Sequence, residues 1–290
     1  MRILLVIDHS IAARYWMDVI RELNSRHELE IFQWEDDYVD YWMDQIGIPI
    51  KHGDPSGEYD VYLTSGIDKA GTIVDPKKIK AKRKIFLFEP VMGWQPLKGF
   101  DTAIVASEFG ARRLLELKFS GRVVVGGYPP FEKACNSLLS TNPSQILVLT
   151  NWYYDTDLTK KMIDHGLIEA ENEGMELVVK PHPYQRWRQN VRDAEFEYLN
   201  KQMIYYYDPN MVDIYDCFKK ASKVICGDCV GGVEATLIGI PTYFHMQLAR
   251  EWDMKIYTDT FDKHEENRKT FLDKFKTTKC VEDIIRTIEE

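Results

Sequence analysis

Short apolar runs alternate with amphipathic stretches along the whole chain. Arg2–Ile7 (RILLVI) is the first run, and its continuous apolar character is that of a parallel strand buried on both faces. Residues 11–24 follow, with Ala12, Tyr15, Trp16, Val19, Ile20 and Leu23 on one helical stripe, and 28–32 form a second strand. That is a β-α-β unit. Further strands are predicted at 60–64 (DVYLT), 85–88 (IFLF), 103–106 (AIVA) and 123–125. Between the last two, Ser107-Glu108-Phe109 opens a helix over 110–117 with Ser107 as its N-cap.

The grammar then stops and restarts. Residues 134–145 (ACNSLLSTNPSQ) are small and polar with one proline, the composition of a linker. Beyond them the pattern predicts strands at 146–149, 177–180, 203–207, 223–226 and 242–245. Helices are predicted at 158–173, 211–221, 233–238 and 281–288. Two successive β/α halves imply an α/β fold of two doubly wound Rossmann-like domains facing across a cleft. The expected boundaries are 1–133 for the first domain, 134–145 for the linker, 146–261 for the second domain and 262–290 for a helical tail.

Composition narrows the picture. A chain of 290 residues is long for one core. A net charge of −9 argues against broad phosphate-backbone binding. Residues 77–84 (KKIKAKRK) are a local exception, either a solvated face before a strand or an attractor for an anionic acceptor. Residues 34–43 (WEDDYVDYWM) fit a surface helix with its aromatics inward, or an aromatic wall on which a sugar acceptor stacks. Asp36-Asp37 lies in that charged stretch, not at a strand end where a metal-holding carboxylate pair is expected. The five cysteines are odd in number and show no framework spacing. Cys226-x-x-Cys229 has the spacing of a redox or zinc pair. Cys226 falls in an apolar strand and no second pair follows, so the pair reads as reduced and structural. Residues 1–8 are too short and too charged for a signal peptide, and no apolar run approaches a membrane span. The expectation is a cytoplasmic protein without a transmembrane segment.

The chemistry gathers at strand ends. Residues 224–244 (VICGDCVGGVEATLIGIPTYF) read as strand, Gly-rich turn, helix, Gly stop and strand. Such a turn leaves N–H groups and partial positive charge at a helix start, a natural phosphate seat. Upstream, LVVKPHPY (177–184) is a strand ending in Lys180-Pro181-His182-Pro183. Together they suggest a site for a nucleotide diphosphate. Asp8-His9, Glu89 and Thr150-Asn151 close other strands, and in doubly wound sheets ligands sit outside those carboxyl ends.

These residues carry a resemblance. The apolar first strand, the Ser-Glu-Phe helix start, the strand-end Lys-Pro-His-Pro and Gly-Asp-x-x-Gly-Gly-x-Glu-Ala resemble the two-domain glycosyltransferase fold, GT-B. Within it, Gly127-Tyr128-Pro129 with Lys180-Pro181-His182-Pro183 is similar to CDP-glycerol glycerophosphotransferases and polysialyltransferase-like enzymes, which use CDP- or CMP-activated donors. Those carry Ser-Asp-x-Ser-Ser where this chain has Gly227-Asp228-Cys229-Val230-Gly231-Gly232. Gly-Gly before Glu234 is more similar to sugar nucleotide enzymes, including UDP-N-acetylglucosamine epimerases. Those are larger, and their N-domain carboxylates are not found here. Phage DNA glucosyltransferases share the fold.

The resemblance implies a metal-independent hexosyl or pentosyl transferase, with a UDP-type nucleotide sugar as its donor and no further cofactor. The acceptor is a glycan, a small molecule or a nucleic acid. It implies that Gly231 and Gly232 offer N–H groups to the diphosphate and that Glu234 accepts from the ribose. Lys180 or His182 neutralises the leaving phosphate, Arg186 and Arg188 assist, and Tyr207 lies in the loop that holds the base. Thr150, Asn151 and Asp228 complete the donor set. Asp8 or His9, then Glu89, are the bases for an inverting reaction. The alternatives are a CDP- or CMP-donor phosphotransferase, an epimerase, a phage-type DNA glycosyltransferase and a catalytically silent nucleotide-binding scaffold.

Overall fold

The structure is a computed structural model that describes residues 1–7, 10–33, 37–65, 76–88, 97–139, 142–150, 155–183, 189–246 and 254–290. The chain divides into two compact units, Met1–Glu132 with Lys274–Glu290, and Lys133–Asp273.

In the first unit the described strands are β1 (Arg2–Ile7), β2 (Glu28–Gln33), β3 (Ile50–His52), β4 (Glu58–Thr64), β5 (Lys80–Leu87), β6 (Thr102–Val105) and β7 (Arg122–Val125). They form one parallel sheet in the order β3-β2-β1-β4-β5-β6-β7. The order reverses direction between β1 and β4, as in a doubly wound fold. Ile3 to Ile7 are all buried, which is why β1 tolerates no polar position. Helix α1 (Ser10–Arg26) turns Ala12, Trp16, Val19, Ile20 and Leu23 inward, the stripe that the spacing predicts. In α2 (Asp37–Asp44), Val39, Trp42 and Met43 are buried, so this part of the acidic aromatic stretch is a packed helix; Trp34 and Asp36 lie outside the described residues. Ser107 caps α3 (Glu108–Glu116), its hydroxyl accepting from Gly110 N at 3.2 Å.

The basic run is solvated, with Lys77, Lys78, Lys80 and Lys82 exposed, but only 77–79 precede the strand, and residues 80–84 are in β5 itself. Lys82 pairs with Asp60 of β4 at 2.7 Å, and the Lys84 ammonium donates to the Pro76 carbonyl. A neighbouring acidic strand thus matches the cations. The long aliphatic stems allow Lys and Arg to occupy a strand with their charge at its surface.

Helix α4 (Pro129–Asn136) runs through the start of the expected linker. Its Glu132 accepts from Cys280 N at 2.8 Å and Val281 N at 3.4 Å, capping α10 (Cys280–Glu289). That helix has no side-chain cap of its own, because its N-cap residue is Lys279. At the other end, the Arg83 guanidinium donates to the carbonyls of Thr287 and Ile288. The last helix is therefore fastened to the first unit at both termini. Glu132→Ala is expected to lower stability by about 1–2 kcal/mol, the scale of a lost N-cap; urea unfolding of the two proteins side by side measures it.

In the second unit β8 (Gln145–Leu149), β9 (Glu176–Lys180), β10 (Tyr205–Tyr206), β11 (Ala221–Cys226) and β12 (Thr242–Phe244) pair in the order β10-β9-β8-β11-β12, all parallel. Helices α5 (Thr156–Glu173), α6 (Gln189–Lys201), α7 (Ile214–Phe218), α8 (Val230–Ile238) and α9 (His264–Lys274) accompany them. The spacing does not predict α6; α9 lies in the expected helical tail, and the helix expected over 211–221 shortens to α7, with Ala221 already in β11. No described helix is long and apolar enough to cross a membrane.

Candidate nucleotide site

The second sheet reverses its winding between β8 and β11, and such switch points open a crevice at the carboxyl edge of the sheet. Leu149 pairs with Lys180 on one side and with Cys226 on the other. Thr150, the Lys180–Pro183 segment and the turn after Cys226 therefore emerge side by side.

The turn is shorter than the sequence suggests. Helix α8 starts at Val230, not Val233, with extended Cys229 as its N-cap and Cys229 Sγ accepting from Gly232 N at 3.3 Å. Gly231 and Gly232 are thus in the first helical turn. Their smallness serves packing: a Cβ on Gly231 would stand 2.7 Å from Ile214 Cδ1. One on Gly232 would stand 2.4 Å from Cys226 Sγ and 2.8 Å from the Phe244 ring. Gly232 N–H is engaged by the Cys229 sulfur and by the Cys229 carbonyl at 3.2 Å; the N–H groups before it have no intrahelical acceptor by position, and the helix dipole points at the crevice. Gly239 ends the helix in the left-handed region at φ 104°, its N–H returning to the carbonyls of Ala235 and Thr236.

Glu234 is the fifth residue of α8 and 0% exposed, on a helix whose other residues are apolar or small. It lies past the first turn, so the helix dipole does not account for it. Asp228 is half-buried in the turn between β11 and α8.

Lys180 is only 5% exposed, and its ammonium donates to the carbonyls of Asp208 (3.1 Å) and Pro209 (2.6 Å). It pins the loop after β10. Asp208 completes that loop by accepting from the N–H groups of Asn210 and Met211. Tyr207 donates its hydroxyl to Gln145 Oε1 at 3.1 Å, and burial raises its pKa. Both side chains thus hold the framework together.

His182 is placed differently. It is half-buried, two residues beyond the end of β9, and its Nδ1 is 2.8 Å from the Pro183 carbonyl. A carbonyl only accepts, so Nδ1 carries the hydrogen and Nε2 is the basic nitrogen of the ring.

Glu195 is absent from the sequence-based set. It is 0% exposed on α6 and accepts from Thr150 Oγ1 at 2.5 Å, while Thr150 N donates to the Lys180 carbonyl. A signal existed: Glu195 precedes buried Leu199 by one turn, so it lies on the inward stripe of α6. Asp8, His9, Glu89, Asn151, Arg186 and Arg188 lie outside the described residues. No group of three or more His, Cys, Asp or Glu is placed to hold a metal among the described residues.

No family model and no curated protein matches the chain. Solved structures do. The UDP-GlcNAc 2-epimerase of Methanocaldococcus jannaschii, solved with UDP-GlcNAc and UDP, superposes with a TM-score of 0.64 at 14% identity. That match covers 100% of this chain and 99% of the epimerase. The Neisseria meningitidis UDP-GlcNAc 2-epimerase, bound to UDP-GlcNAc, gives 0.63 at 14% identity and covers 100% of both chains. The wall teichoic acid polymerase TagF gives 0.59 at 12% identity over 99% of this chain and 88% of its own. The chain has the GT-B fold. At these identities the likeness is one of fold, and in this GT-B chain the chemistry has to be argued from the site.

A second cluster in the same unit is titratable. His165 Nδ1 on α5 lies 3.1 Å from His245 Nε2, just past β12, with Tyr243 packed edge-on against His165. Burial lowers the pKa of both histidines, and His165 lowers that of His245 further. Glu169 and Asp259 oppose this shift, while Lys223 and Lys161 reinforce it. The folded state thus favours neutral rings, and as pH falls below the ordinary value of about 6.5 the unfolded chain takes up protons first. Stability from this pair is complete above that pH and is lost as pH falls through the lowered folded values. Thermal melts of the wild type and His245→Asn between pH 8 and 5 measure it; the variant is expected to show the shallower decline.

Proposed function

We propose that this chain is a glycosyltransferase that takes a nucleotide diphosphate sugar at the β8/β11 switch point and transfers the sugar to an acceptor hydroxyl. The observation that carries this reading is His182. Its tautomer is fixed by Pro183, and it stands at the strand end bordering the switch point. With Nδ1 donating to Pro183, a proton taken up at Nε2 makes the ring cationic and lets Nε2 donate a hydrogen bond or that proton to the departing phosphate. The start of α8 supplies fixed N–H groups for the same charge, and such preorganised donors need no rearrangement as the charge builds. Glu234 is assigned to the ribose hydroxyls. Thr150, held by Glu195, lines the same edge. One of Asp8, His9 or Glu89 takes the acceptor proton if configuration inverts. The proposal includes a UDP-type donor, no metal, no further cofactor and a cytoplasmic location. The UDP ligands of the solved epimerases support UDP as the first nucleotide to test.

The test is a thermal-shift panel with UDP, GDP, ADP, TDP, CDP and CMP. A ligand that binds only the native state raises the melting temperature, by about 2.7 kcal/mol of stabilisation at one hundred times Kd. A clear shift with UDP supports the reading; a shift confined to CDP or CMP moves it to the phosphotransferase branch; no shift removes it.

A second reading, a UDP-sugar epimerase, is favoured by the end-to-end match with the solved epimerases, which removes chain length as an objection. NMR of UDP-GlcNAc incubated with the protein alone separates the two. A new sugar nucleotide without any acceptor marks an epimerase, and an unchanged donor fits a transferase.

A further inference from the structure

The two cysteines of the Cys-x-x-Cys stretch meet at one glycine. Cys226 ends β11, Cys229 caps α8, and Gly232 lies against both. Cys226 Sγ is 2.4 Å from where a Cβ on Gly232 would stand, and Cys229 Sγ is 3.3 Å from Gly232 N. Burial pushes the Cys226 thiol pKa up, and the neighbouring Cys229 adds to that shift. Cys226 is fully buried, whereas Cys229 is half-buried at the mouth of the turn. An accessible sulfur backed by an inaccessible one is the layout of an attacking and a resolving thiol.

We propose that Cys226 and Cys229 form a reversible disulfide whose closure removes the N-cap of α8. The oxidant is a small-molecule disulfide of the glutathione type. Cys229 loses its proton and attacks one sulfur of that disulfide; its S–S bond breaks, and the first glutathione leaves as a thiolate. Cys226 then loses its proton and attacks Cys229 Sγ; the mixed disulfide breaks, and the second glutathione leaves. Two protein thiols are oxidised, one disulfide is reduced, and the two released protons go to the two leaving thiolates. The Cys229 sulfur is now bonded to Cys226, and Gly232 N–H, which also lies 3.2 Å from the Cys229 carbonyl, keeps only that second acceptor. The first turn of α8 loosens where the donor diphosphate is assigned. That consequence rests on the proposed function; the disulfide does not.

The test incubates the purified protein with excess oxidised glutathione and reads intact mass, peptide maps and hydrogen exchange. The expected result is loss of two hydrogen atoms in a Cys226–Cys229 link, reversed by dithiothreitol. The Gly232 amide should exchange about fivefold faster, the scale of one lost cap. Cys226→Ala should retain glutathione on Cys229 as a lasting adduct. Cys229→Ser, which keeps an oxygen acceptor for Gly232 N–H, should melt like the wild type and form no link. A wild type whose two cysteines stay reduced, or one that keeps glutathione on Cys229, overturns the proposal. A link that leaves Gly232 exchange unchanged overturns the uncapping. If the reduced protein shows no UDP shift, the donor reading alone fails, because mass and exchange judge the disulfide independently.

Discussion

His182→Ala is expected to lower donor turnover about 100-fold, the effect of removing one preorganised electrostatic partner of the leaving group. That is about 2.7 kcal/mol of transition-state stabilisation. The loss should fall on kcat and leave KM for the donor within a few-fold, because charge on the leaving phosphate grows only as the bond breaks. The ring is only half-buried, so its removal should cost less in melting temperature than removal of a fully buried side chain. Lys180 provides the contrast. Its ammonium holds two backbone carbonyls from a buried position, so Lys180→Ala should lower the melting temperature as well as turnover. Steady-state rates and melts of both variants separate the two roles. A near-wild-type rate for His182→Ala removes that residue from the chemistry.

Gly127→Ala carries the largest expected cost in stability, about 3–4 kcal/mol. Gly127 has φ 87°, in the region where a side chain is strained by about 1 kcal/mol or more. A Cβ there would also fall 2.4 Å from Cys280 Sγ and 3.0 Å from the Lys276 carbonyl, an overpacking that costs about 1–3 kcal/mol. Cys280 has little freedom to retreat, because Glu132 holds its N–H, and burial pushes its thiol pKa up to about 12. The double variant with Cys280→Ala should recover part of the loss and leave the φ strain and the carbonyl clash in place. Urea unfolding of the four proteins in the cycle measures the coupling.

The sequence by itself determined the α/β class, the two successive windings and the identity of most strands. Those signals are local. A strand buried on both faces must be continuously apolar, as Ile3 to Ile7 are, and an inward helix must repeat at helical spacing, as α1 does. Ser107 and Gly239 were legible for the same reason, since a cap is chosen by backbone geometry within one turn.

What failed locally was decided by partners distant in the chain. Part of the basic run lies in β5, where its backbone pairs with β4 and its exposed Lys82 meets Asp60. Helix α8 begins three residues early because a cysteine sulfur serves as its cap, and Gly231 and Gly232 are small because Ile214, Cys226 and Phe244 converge on them. Glu195 has its role through Thr150, which is 45 positions away in sequence. Lys180, expected at the phosphate, also holds the loop after β10 through two of its backbone carbonyls. A residue's type fixes which interactions it can make, but burial and the nearest acceptor select among them, and only the tertiary structure sets those.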